Sequence, residues 1–181
     1  MKRFLVGLLS LGLLLTACGR DPLGARESEE VGVTAYAPGD RVDLPAISGQ
    51  TLAGTPLSIA DLRGHVVVLN SWASWCEPCN EEAAALVSAS RKLAADGVRF
   101  VGLDVTDQEA AARKYTEQYR VPYPSIVDAK GVMLASLPSV PPGALPSTLI
   151  IDKEGRIAAR FIGVVREPAF SEQIRAVLAE G

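Results

Sequence analysis

At 181 residues, 48% of them apolar, the chain is long enough to bury one sizeable core. Its 18 basic and 21 acidic side chains nearly cancel, and no Lys/Arg run or basic patch occurs, which argues against nucleic acid as a partner. Three cysteines and one histidine are too few for a structural zinc site of about four ligands once Cys18 is set aside and His65 stands eleven positions from Cys76, so no metal is expected.

In chain order, Lys2 and Arg3 precede the apolar stretch Phe4 to Leu15, which is too short to span a bilayer comfortably. The stretch ends in Leu15-Thr16-Ala17-Cys18, which resembles the lipobox of bacterial lipoproteins. That resemblance implies a signal peptide over 1–17, removed in front of a lipidated Cys18. Two or more acyl chains there would anchor the protein stably at a membrane. Ordinary secretion with cleavage near Ala17 is the other reading. Removal of Met1–Ala17 takes Lys2 and Arg3 with it and moves the formal charge from −3 to −5. Residues 18–39 are polar, punctuated by Gly and Pro, and carry Glu27, Glu29 and Glu30; they read as a flexible tether spanning on the order of 25 Å. The folded domain is expected over 40–181.

Val42 to Ile47, a turn at Ser48-Gly49-Gln50, and Thr55 to Ser58 suggest a strand pair, followed by a helical turn over Ile59 to Leu62. Arg63-Gly64-His65 turns into the apolar strand Val66 to Asn70. His65, at the strand's start, reads as a solvated surface residue. Straight after the strand comes Trp75-Cys76-Glu77-Pro78-Cys79, and from Asn80 to Ala95 apolar residues recur at helical spacing. A Cys-x-x-Cys at a helix start meets unpaired N–H groups and the positive end of the dipole, which favour a thiolate at Cys76. A static disulfide across so short a loop would stabilise little. The spacing and the strand–helix setting point to a redox-active pair. With Cys18 assigned to lipid, no cysteine remains for a structural disulfide.

Val98 to Val105 is a second buried strand, and Thr106-Asp107-Gln108-Glu109 fits a capping box opening a helix to about Tyr119. A short strand over Ser125 to Val127 and a helical turn over Val132 to Leu137 follow. The proline-rich segment Pro138 to Pro146 leads into the strand Ser147 to Ile151, a turn at Asp152 to Gly155, and a strand over Arg156 to Gly163. Glu167 to Ala179 is a terminal helix with Phe170, Ile174, Val177 and Leu178 on one face. Strands alternating with helices make this an α/β protein with a central mixed sheet flanked by helices.

The segment Leu69-Asn70-Ser71-Trp72-Ala73-Ser74-Trp75-Cys76-Glu77-Pro78-Cys79 resembles the active-site segment of the TlpA/ResA-like thioredoxin family of extracytoplasmic thiol-disulfide oxidoreductases. With gaps, the likeness extends over roughly residues 39 to 180. It implies a thioredoxin fold with an N-terminal hairpin and a βαβ insertion, and no cofactor. Cys76 becomes the nucleophile and Cys79 the resolving thiol. Trp75, Leu145 and Pro146 would receive substrate, Pro146 matching the cis-proline of the superfamily. Glu77 and Pro78 would tune the potential, Glu77 disfavouring the Cys76 thiolate and so favouring a reductant. Thioredoxins carry a buried Asp where this chain has Asn70, so proton transfer to Cys79 falls to Glu82, one turn on; its other reading is a solvated charge like Glu81. Implied partners are disulfide-bearing exported proteins, apocytochrome c among them, and a membrane thiol-electron carrier. Disulfide oxidation or isomerisation is the alternative. Peroxidases related to this fold place Pro and Thr where the chain has Leu69 and Ala73, and copper-delivery proteins of the Sco type need a Cys-x-x-x-Cys and a distal His that it lacks.

Overall fold

A computed structural model describes residues 32–180, together with the backbone of Arg26–Glu27. The signal segment, Cys18 and most of the tether lie outside the described residues. The strands are β1 (Arg26–Glu27), β2 (Val33–Ala35), β3 (Ser48–Gln50), β4 (Pro56–Ser58), β5 (Val67–Trp72), β6 (Arg99–Val105), β7 (Ser125–Asp128), β8 (Ser147–Ile151) and β9 (Ile157–Ile162). The helices are α1 (Glu77–Leu93), α2 (Glu109–Tyr119), α3 (Val132–Ser136) and α4 (Ala169–Leu178). Seven strands form one sheet in the order β1-β2-β9-β8-β5-β6-β7, and β3 with β4 makes a separate hairpin. β5, β6 and β7 run parallel, and β8 pairs antiparallel with both β5 and β9.

Strand β5 shows why the sheet sits between two layers. Successive side chains point to opposite faces. Val66 and Val68 join the core under α1 and α4, with Leu86, Leu93, Phe170 and Ile174. Val67 and Leu69 join the other core, with Ile47, Ile59 and Leu134. The same alternation carries Asn70 and Trp72 to the α1 side. Right-handed crossovers bring α2 alongside α1 on that face, where Ala83 of α1 and Ala112 and Tyr115 of α2 close around Trp72. Trp72 and Tyr115 stack with ring centroids 4.3 Å apart.

Four local readings differ from the structure, the first being that Val42 to Ile47, expected as a strand, makes only an isolated bridge of Asp43 with Arg156. Residues 33–35, assigned to the tether, are a strand against β9, with Val33 opposite Phe161 and Thr34 opposite Arg160. Thr34 is buried and its hydroxyl accepts from Arg160, so this segment belongs to the domain. Ser48-Gly49-Gln50, read as a turn, is itself β3; the turn lies at 51–55, closed by the paired hydroxyls of Thr51 and Thr55 at 2.9 Å. The capping box at Thr106 does not form. The N-cap of α2 is Gln108, without a side-chain bond, and Thr106 takes a left-handed φ of 51°.

Gly102 on β6 leaves the space that Trp72 occupies. A Cβ there would lie 2.2 Å from Ser125 Oγ and 2.6 Å from Trp72 Nε1, two groups that hydrogen-bond each other at 3.3 Å. Gly102→Ala is therefore expected to destabilise the protein by about 1–3 kcal/mol, as overpacking of a filled core does. Urea unfolding followed by tryptophan emission would measure it, and an unchanged midpoint would mean that the indole moves aside at no cost.

Candidate active site

The loop from β5 delivers Cys76 to the N-cap of α1, one position ahead of Glu77, and Pro78 sits in the first turn where its missing N–H costs no bond. The helix thus starts three residues earlier than its apolar spacing alone indicates. Cys76 and Cys79 form a disulfide with Cα atoms 5.3 Å apart. Cys76 Sγ accepts the Cys79 N–H at 3.3 Å, so a helix-end donor already points at the sulfur that would carry charge. Cys76 retains 5% of its surface and Cys79 none, so access to the pair runs through Cys76.

Around the pair lie most of the residues that the sequence singles out. Leu145 packs against the cluster holding both cysteines, and the Leu145–Pro146 peptide is cis. Glu77 and Pro78 are exposed in the first helical turn. Trp75 is 62% exposed, its indole N–H donating to Thr106 O at 3.1 Å. His65 stands apart, partly buried in the turn before β5.

Glu82 is not a solvated charge. It is 1% exposed, and its carboxyl is clasped from two sides. Asn70 Nδ2 donates to Oε1 at 2.7 Å, and the Val165 N–H donates to Oε2 at 3.0 Å. Asn70 also donates to Thr148 Oγ1 at 3.0 Å, which ties β5 to β8 beside Pro146. An Asp at position 70 would set a second carboxylate against Glu82; the amide supplies a donor instead. Burial pushes the Glu82 pKa up to about 7, against the opposing pull of the Val165 and Asn70 donors.

Sequence reasoning passed over a second set of contacts. Tyr115 Oη donates to the Cys79 carbonyl at 2.9 Å, joining α2 to the redox turn. Its place on the apolar stripe of α2, with Ala112 and Tyr119, was the available signal. Asp107 accepts from the Ser74 N–H, from Ser74 Oγ at 2.8 Å and from the Gln108 N–H at 2.7 Å, fastening the loop before Cys76. Asp104, at the end of β6, is 1% exposed. Burial first, then the neighbouring Asp107 and Glu109 carboxylates, raise its pKa to about 7. Among the described residues no group of three or more His, Cys, Asp or Glu is placed to hold a metal ion.

The AhpC/TSA family pattern matches residues 41–160. The chain belongs to the AhpC/TSA family. Within it, the relatives are proteins of ResA and DsbE type. A thiol-disulfide oxidoreductase ResA of Bacillus cereus is 34% identical over 62% of this chain, which spans only 63% of that protein's length. The thiol:disulfide interchange protein DsbE of Pseudomonas aeruginosa is 35% identical over 73% of this chain and 68% of its own. A secreted thiol-disulfide isomerase from Corynebacterium glutamicum superposes with a TM-score of 0.78 at 30% identity, over 86% of this chain and 96% of that one. The thioredoxin fold expected from the sequence is the fold found.

The carboxyl of Glu82 makes stability depend on pH in a definite direction. Its ordinary value of 4.5 rises to about 7 on folding, so the folded state holds this proton more tightly than the unfolded chain. Stability is then full below about pH 4.5 and falls by about 3 kcal/mol as pH rises to about 7. Asp104 acts in the same direction. Glu82→Gln, which cannot ionise, should flatten the stability curve between pH 5 and 7 in urea unfolding without abolishing its slope. Identical slopes for the two proteins would show Glu82 ionised throughout.

Proposed function

We propose that the protein is an extracytoplasmic thiol-disulfide oxidoreductase that reduces disulfides in exported proteins. The observation that carries the reading is the disulfide between Cys76 at the N-cap of α1 and the enclosed Cys79, with Leu145 beside it. In the dithiol form, the Cys76 thiolate attacks one sulfur of a substrate disulfide, forms a mixed disulfide and expels the other substrate sulfur as thiolate. Cys79, deprotonated, then attacks Cys76 Sγ, regenerates the internal disulfide and releases the second substrate thiol. Two electrons pass to the substrate. Glu82, one turn beyond Cys79 and titrating near neutrality, takes the Cys79 proton. Trp75 and the Leu145 backbone receive the substrate as an extended strand.

Apocytochrome c is the substrate class that the likeness to ResA and DsbE proteins supports, and a membrane thiol carrier is the electron source. Anchoring by lipid on Cys18 would hold the domain near that carrier. Among the described residues no helix is long and apolar enough to cross a membrane. Isomerisation of exported proteins is the second reading, favoured by the likeness to the Corynebacterium glutamicum isomerase. Peroxidase chemistry is not proposed: Ala73, fully buried, offers no hydroxyl where the peroxidases carry Thr.

Insulin reduction by the purified protein tests the reading. Cys76→Ser should lower the rate to that of the reductant alone, and Cys79→Ser should stall as a mixed disulfide that identifies its partner. Equilibration with glutathione buffers then decides direction; a potential on the oxidising side of the glutathione couple would replace reductase by oxidase or isomerase. In cells, the wild type should partition with membranes, and Cys18→Ala should be released or remain unprocessed. A wild type wholly soluble, with an unmodified N-terminus, would remove the anchor.

A further inference from the structure

Asp104 is the buried titratable group that the redox chemistry leaves unused. It is the penultimate residue of β6, opposite Trp72 of β5 and Val127 of β7, neither of which titrates. Its Oδ1 is buried and meets no donor. The charged groups facing it are both acidic: Asp107 in the following turn, within hydrogen-bond reach, and Glu109 at the start of α2. On α2, Arg113 pairs with Glu109, and Lys114 lines the cavity beside Ser74. Two carboxylates cannot hydrogen-bond each other, because both only accept; the bond exists only if one of them carries a proton.

Asp107 cannot be that acid without giving something up. Its two oxygens already accept from Ser74 N–H, Ser74 Oγ and Gln108 N–H. Asp104, fully buried and lacking a donor, is the group that burial favours in neutral form. The turn between them also accepts the Trp75 indole N–H at the Thr106 carbonyl. Ser74 and Trp75, the two residues immediately before Cys76, are therefore both fastened to the 104–107 turn.

We propose that Asp104 is a positioning residue for the redox pair: it keeps its proton in the folded protein and donates it to Asp107, so that Asp107 stays fixed on Ser74 and the loop presenting Cys76 is held. Loss of that proton sets two carboxylates against each other, with Glu109 adding to the repulsion, and releases the Ser74 contacts. The consequence for redox chemistry rests on the function proposed above; the hold on the loop does not.

The test uses the protein in its disulfide form, where no active-site thiol titrates. Amide hydrogen exchange at Ser74 is followed from pH 5.5 to 8.5 after correction for the intrinsic rate. Wild-type protection should fall at least about tenfold across a midpoint near 7, the effect of one pKa unit of coupling or more. Asp104→Asn, whose amide donates to Asp107 at every pH, should show no such fall, and Glu82→Gln should keep it, which separates the two buried acids. Constant Ser74 protection in the wild type, or the same fall in Asp104→Asn, overturns the proposal. If Asp104→Asn does not fold, the carboxyl carbon of Asp104 is titrated by NMR in the wild type: a midpoint near 7 supports the assignment and one below about 5 overturns it. Insulin reduction by the same wild-type sample is scored separately. A protein that shows the Ser74 transition and no reduction keeps the Asp104 latch and loses only the redox function.

Discussion

The clasp on the Glu82 carboxyl is the contact on which the rest of the site depends. It joins three parts of the chain: α1 through Glu82 itself, β5 through Asn70, and the loop after β9 through Val165. Asn70 extends the clasp to Thr148 on β8, two residues beyond Pro146. The helix that carries both sulfurs is thereby held to the strand before it and to the segment expected to receive substrate. A carboxyl in so dry a place is costly as an ion, and two donors offset only part of that cost. The balance leaves it titrating where a thiol proton can be taken up at neutral pH.

The acidic groups of α1 and β6 divide by burial. Glu77 is exposed in the first helical turn, where water screens it and where the positive end of the dipole lies. Glu82 and Asp104 are 1% exposed, and both hold their protons to about neutrality. Exposed ion pairs such as Arg166 with Glu81, 3.8 Å apart, add little to this. The buried ion pair is elsewhere: Arg41 lies between Asp152 and Glu180, fixing the segment after β2 to the β8–β9 turn and the end of α4. Together with the pairing of β2 on β9, this ties residues 33–41 to the domain.

An Asn at position 70 looks, in isolation, like the loss of a catalytic acid. Placed beside Glu82, it is the donor that lets a carboxyl be buried on the facing helix. The buried carboxyl of this chain thus stands on the helix, three residues beyond Cys79, and the strand supplies its donor.

From β5 onward, the order of strands and helices, the apolar character of β5, and the Cys-x-x-Cys at a helix start were determined by the sequence, because periodicity and helix-end chemistry act between residues close in the chain. Boundaries were less legible. Thr106 to Glu109 has the spacing of a capping box, yet Thr106 takes a left-handed φ and Gln108 is the N-cap, and the short segment Val33-Thr34-Ala35 becomes a strand only because β9 offers an edge. Whether Glu82 was a solvated charge or a buried acid, and that Asp104 and Asp107 would meet, was decided by tertiary structure alone. The state of a carboxyl depends on the donors and dielectric around it. Those come from β5, β9 and the 104–107 turn, whose approach no local pattern along the chain records.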